Sequence, residues 1–135
     1  MGKIFVDTSA WVALFIENDH LHSRALPIFE KIYRTKTMLY TSDYVIDETL
    51  TTILVKGDHS KSVLAGKALF ESNIMDIIYV APNHFEGTWE LYQKYKDKKF
   101  SFTDVSSFFI MKQLGINQAF SFDAHFQQTG FEMLN

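Results

Sequence analysis

The sequence predicts an α/β protein built on a mostly parallel sheet of four or five strands. Two observations carry this. Short apolar runs alternate with amphipathic segments along the chain, which is the pattern of repeated strand–helix units. The 135 residues contain two prolines and six glycines, with no linker-like stretch and no internal repeat. One domain over residues 1–135 is therefore expected.

The elements follow in order. Lys3–Val6 is apolar enough to be a buried first strand. Thr8 or Ser9 then caps a short helix through Trp11, Leu14 and Phe15. Leu21, Ala25, Ile28, Phe29 and Ile32 recur at helical spacing and mark a second helix. Met38–Tyr40 reads as a second strand, and Ser42 starts a helix that runs through Glu48 and Val55 to Gly57. Ser60–Phe70 is the next helix, with Val63, Leu64 and Phe70 expected to face inward. Asp76–Val80 is the third strand. Phe85, Trp89, Tyr92 and Tyr95 form an aromatic stripe on a helix, read as core or a dimer face. Asp104–Leu114 is a strongly apolar helix with Phe108, Phe109 and Met111 in the core, closed by Gly115. Gln118–Phe122 is the fourth strand, and Phe131–Leu134 adds a short last one.

Composition narrows the function. There is no cysteine, which excludes a disulfide scaffold, a Cys-ligated zinc site and thiol catalysis. Hydrophobic residues are 47% and charged residues 21%, as in a folded globular domain. The net charge of −3 and pI near 5.9 argue against binding polyanions through bulk positive charge. The apolar run Ala10–Ile16 is too short to span a bilayer. Only Lys3 supplies the positive flank of a targeting segment, so a cytoplasmic location is expected.

In open α/β sheets, chemistry sits beyond the carboxyl ends of the strands, near the point where strand order reverses. Asp7 and Asp123 follow the first and fourth strands. Asp104 opens a helix on the same side, and Glu48 lies on the Val45–Thr52 face of its helix. Individually these acids read as a helix cap, a turn residue or a solvated side chain. Asp7 resists that reading, because a charge directly after a buried strand is costly unless it is paired or binds metal. Four converging acids would repel one another and raise some of their pKa values. With Mg²⁺ or Mn²⁺ they form a hard-oxygen site able to activate water at a phosphodiester. Setting these four aside from the 16 acids leaves 12 against 13 basic residues, so the rest of the surface is near neutral. Lys94, Lys96, Lys98 and Lys99, just before Asp104, are candidates for holding phosphates.

Four blocks then resemble the motifs of PIN-domain ribonucleases, specifically the VapC-like toxins of type II toxin–antitoxin systems. They are Val6-Asp7-Thr8-Ser9-Ala10, Thr41–Glu48, Ser101–Ser107, and Phe120–Phe126 followed by Thr129-Gly130-Phe131. Their order and separations cover nearly the whole chain. The resemblance implies a three-layer α/β/α fold and Mg²⁺- or Mn²⁺-dependent RNA cleavage with one or two ions. It implies Asp7, Asp104 and Asp123 as metal ligands, with Glu48 reaching the metal through a bound water that attacks phosphorus in line. Ser9 would orient a ligand or water, and Thr103 would cap the helix and fix Asp104. It further implies a small antitoxin whose tail blocks the site, and a homodimer. Ala124 and Gln127 stand where many relatives carry basic residues, which leaves less positive charge near Asp123. Asp47 adds an acid beside Glu48, but adjacent helical residues point about 100° apart and do not share a site.

Other features have plainer readings. The His20-x-His22 pair lacks further ligands nearby and reads as a solvated loop. His125, two residues past Asp123, reads as packing or a turn rather than a phosphate contact. Two alternatives compete. One is a catalytically silent RNA-binding or assembly module of the same fold, against which the four intact acids argue. The other is a different phosphoryl-transfer domain such as a receiver. That would need paired acids after the first strand, whereas Asp7 stands alone; a haloacid-type phosphatase would need an acid where Ser9 stands. Glycine-rich nucleotide loops are absent.

Overall fold

The computed structural model describes residues 2–135. In chain order the elements are β1 (Lys3–Val6), α1 (Thr8–Phe15), α2 (His22–Arg34), β2 (Met38–Ser42), α3 (Asp43–Lys56), α4 (His59–Glu71), β3 (Met75–Ile78), α5 (Pro82–Lys94), α6 (Phe102–Leu114), β4 (Gln118–Phe120), α7 (His125–Gln128) and β5 (Glu132–Leu134). The five strands pair in parallel in the order β3-β2-β1-β4-β5, with helices flanking the sheet as expected for three layers. No helix of the described residues is long and apolar enough to cross a membrane.

The apolar strands are central because both their faces are covered. Phe5, Val6, Ala119 and Phe120 are fully buried on the neighbouring strands β1 and β4, together with Val105, Phe108 and Met111 of α6. Leaving β1, the chain steps one way to β2 and β3, then returns to the other side of β1 as β4. Strand order therefore reverses between β1 and β4, and the crevice beyond their carboxyl ends is where such folds place ligands.

Several local expectations are corrected. α1 begins one residue earlier than a Thr8 cap implies, and two earlier than a Ser9 cap. Asp7 is the cap residue, and its carbonyl accepts from the Ala10 and Trp11 amides at 3.1 and 3.2 Å while its side chain does no capping. Val63, Leu64 and Phe70 of α4 point outward, at 40%, 64% and 58% exposed. The inward face of α4 is Ala65, Gly66 and Leu69. A Cβ on Gly66 would make ordinary van der Waals contact with Leu50 of α3 at 3.5 Å. Phe85, Trp89 and Tyr92 are likewise exposed rather than core. Of that stripe Tyr95 alone is held edge-on against Phe100 and Phe108. Phe109 is half-buried, whereas Phe108 and Met111 are fully enclosed. β4 stops at Phe120, two residues early, because the chain turns after the Ser121 amide donates to the Leu134 carbonyl.

Candidate active site

Each acid is brought to the crevice by a different local device. Asp7 follows β1 directly, its amide bound to the Phe120 carbonyl of β4 at 3.0 Å. Asp104 is the third residue of α6. Ser101 caps that helix, accepting from the Asp104 amide at 3.0 Å, while Asp104 Oδ2 accepts from the Ser101 amide at 3.2 Å. This reciprocal capping box fixes the carboxylate at the helix mouth. The cap is thus Ser101 and not Thr103, whose carbonyl instead accepts from the Ser106 and Ser107 hydroxyls. Asp123 lies in the loop after β4, its amide donating to Ser121 Oγ at 3.0 Å. Glu48 is half-buried on α3. That helix is anchored by the Ser42 cap and by Asp43, whose carboxylate accepts from the Val80 amide at 2.9 Å.

One cavity of about 230 Å³ is lined by Asp7, Ser9, Glu48, Asp104 and Asp123 together with Thr8, Asp19, His20, Thr52 and Lys56. All five residues expected at the site from the sequence therefore share it. Lys94, Lys96, Lys98 and Lys99 are exposed and none lines this cavity; Lys94 borders a separate one between α5 and α6. Asp47 does not line this cavity; it lines an adjoining one, whose wall also includes Glu48, so neighbouring positions on the helix do meet one common cavity.

Serine hydroxyls tie the acids together. Ser121 donates to Asp7 Oδ2 at 3.0 Å while accepting from the Asp123 amide. Ser9 lies 3.3 Å from the same Asp7 oxygen and accepts from the Phe122 amide at 2.9 Å. Asp7 is 3% exposed, and its pKa is raised from 3.8 to about 7. Burial is the largest cause, and the nearby Asp104 and Asp123 charges add to it. The Thr8 amide and Ser121 hydroxyl oppose it without cancelling it.

His125 is the main residue that sequence reasoning misses. Its Nδ1 lies 2.8 Å from Asp104 Oδ2 and 3.3 Å from Asp123 Oδ1, so it belongs to the acid cluster rather than to packing or a turn alone. The Asp-x-His spacing is visible in the sequence, but only the start of α7 turns the ring back toward Asp104. Lys56 is also missed, although Glu48, Thr52 and Lys56 recur every four residues on α3 and so share a face. His22 is tied to the Ala13 carbonyl at 2.8 Å, and the exposed His20 sits on the cavity rim.

These groups fit a divalent cation. Ligand atoms of Asp104, Asp123 and His125 all lie within 4.8 Å of one another. Asp7 is held beside them against the repulsion of its neighbours. Thr8 Oγ1, on the same cavity wall, is buried with no hydrogen-bond partner among the described residues. A cation held there would relieve the repulsion among these carboxylates.

The molecule is thus an α/β protein with an all-parallel five-stranded sheet and four carboxylates gathered at its switch point. The chain belongs to the PIN domain family, whose model matches residues 4–132. It is 32% identical over 129 residues to the 23S rRNA-specific endonuclease VapC20 of Mycobacterium tuberculosis, a match covering 95% of each protein. The crystal structure of that protein, described as a sarcin-ricin loop cleaving toxin, superimposes with a TM-score of 0.85 over 95% of both chains. The fold is shared more distantly with VapBC2 from Rickettsia felis bound to a promoter DNA fragment. That match has a TM-score of 0.71 at 11% identity over 98% of both chains. FitAcB from Neisseria gonorrhoeae gives 0.68 at 13%, over 98% of this chain and 96% of that one.

Proposed function

We propose that this protein is a divalent-metal-dependent endoribonuclease, the toxin of a toxin–antitoxin pair. The observation that carries the reading is the convergence of Asp7, Glu48, Asp104 and Asp123 on one cavity at the β1/β4 switch point. Its likeness to an rRNA-specific endonuclease over nearly the whole chain supports RNA as the substrate class.

Asp7, Asp104 and Asp123 would hold one or two Mg²⁺ or Mn²⁺ ions, with Glu48 acting through a water. The metal supplies neutralisation of phosphate charge and acidification of water. The protein's own groups do the rest. Ser9 and Ser121 hold Asp7 Oδ2, and Ser101 holds Asp104. Glu48, on the cavity wall, orients the attacking water and accepts its proton. Lys56 at the rim meets a substrate phosphate, and the exposed lysines from Lys94 to Lys99 guide the RNA toward Ser101. A small antitoxin would cover the cavity, and the exposed Phe85, Trp89 and Tyr92 face would join two copies in a homodimer in the cytoplasm.

The test is cleavage of total RNA by purified, antitoxin-free protein with Mn²⁺, Mg²⁺ or EDTA. Discrete fragments that require metal and vanish in Asp104→Asn are expected. Intact RNA under every condition, with the protein folded, would overturn the reading.

A further inference from the structure

We infer that His125 is a nitrogen ligand of the catalytic cation, making this centre one that selects Mn²⁺ over Mg²⁺. The inference rests on the metal-dependent reading above. In an octahedral site with bonds near 2.1 Å, neighbouring ligand atoms lie about 3 Å apart. His125 Nδ1 is 2.8 Å from Asp104 Oδ2 and 3.3 Å from Asp123 Oδ1, which brackets that spacing. The three donors already span no more than 4.8 Å.

The ring is built into this position. The His125 amide donates to Asp123 Oδ1 at 3.0 Å, and the Phe100 ring stands edge-on to the imidazole at 5.0 Å. Two constraints, one from the backbone and one from an aromatic wall, therefore aim Nδ1 between the two carboxylates. As a ligand the ring is the neutral Nε2–H tautomer, with the Nδ1 lone pair free to coordinate.

A nitrogen donor changes which ion the site prefers. Mg²⁺ is bound by carboxylates and waters and gains little from imidazole, whereas later divalent ions accept nitrogen readily. A site of acids alone discriminates weakly between Mg²⁺ and Mn²⁺. One with His125 in place favours Mn²⁺.

The experiment uses the full chain with MnCl₂ alone or MgCl₂ alone and no RNA. Pulsed EPR of the Mn²⁺-loaded protein should show ¹⁴N modulation from a coordinated imidazole, absent in His125→Gln. Titration calorimetry should show Mn²⁺ affinity falling about tenfold or more in that variant, with Mg²⁺ affinity changing less than about threefold. If Mn²⁺ binds the wild type without ¹⁴N modulation, or if His125→Gln weakens both ions equally, His125 only positions Asp104 and the inference fails. If neither ion binds the wild type, the metal-dependent reading fails with it.

Discussion

Replacing Asp7 with asparagine in the metal-free protein should change the pH dependence of stability in a calculable way. The folded-state pKa of Asp7 is about 7, against 3.8 for the free carboxyl. The folded protein therefore keeps a proton in that window that the unfolded chain has lost. The sign is fixed: ionising Asp7 favours unfolding, so wild-type stability falls as pH rises from about 4 to about 7 and levels off above. A shift of about three units corresponds to roughly 4 kcal/mol once the group is fully ionised. At about pH 5 less than half of that penalty is present, so about 2–3 kcal/mol accrues between about pH 5 and pH 8. For a domain of this size that is roughly 6–10 °C in Tm. The amide side chain of the Asp7→Asn variant accepts the same serine hydrogen bonds but does not titrate. Thermal melts in EDTA across this range should show the gap between Asp7→Asn and wild type widening in favour of the variant. Charges elsewhere titrate in both proteins and cancel in the difference. Parallel curves, or a wild type that gains on the variant as pH rises, would refute the idea that Asp7 is a buried acid held at an energetic cost.

Three further outcomes follow from the same geometry. Mn²⁺ at about a hundred times its Kd should stabilise the wild type by roughly 3 kcal/mol in thermal melts, more strongly as pH rises through 7 and Asp7 ionises, and Asp104→Asn should abolish the gain. Ser101→Ala should cost about 1 kcal/mol in denaturant unfolding through the lost helix cap, with Mn²⁺ affinity little changed because the Ser101 amide that holds the Asp104 carboxylate is retained. At Gly87 an added Cβ would fall 2.3 Å from the Phe109 ring. Gly87→Ala should therefore cost about 1–3 kcal/mol by overpacking, measured by urea unfolding, and Phe109→Leu in the same chain should recover part of it.

The sheet is legible in the sequence because its central strands β1 and β4 are short apolar runs, and Asp7 falls immediately after the first of them. What sequence does not supply is direction. Val63 and Leu64 are as apolar as a core residue, yet α4 packs through Ala65, Gly66 and Leu69 instead. Ser101, Thr103 and Asp104 are all plausible at a helix start, and only the backbone decides that Ser101 is the cap. The acids stand out because their chemistry is costly without partners. His125 does not, because a histidine beside a turn has many inexpensive roles. Its position between Asp104 and Asp123 depends on α7 and on Phe100, which lies 25 positions earlier in the chain.

The central claim is that this carboxylate site drives attack by an external water on an RNA phosphodiester. The most direct measurement is the chemistry of the cut ends, read on a cleaved RNA and on the same RNA carrying a single 2′-deoxy sugar at the scissile position. The account predicts metal-dependent cleavage of both substrates, with no 2′,3′-cyclic phosphate in the products and no activity in Asp7→Asn. Cyclic phosphate ends, or loss of cleavage on removing that one 2′-hydroxyl, would show that the RNA itself supplies the nucleophile and would contradict it.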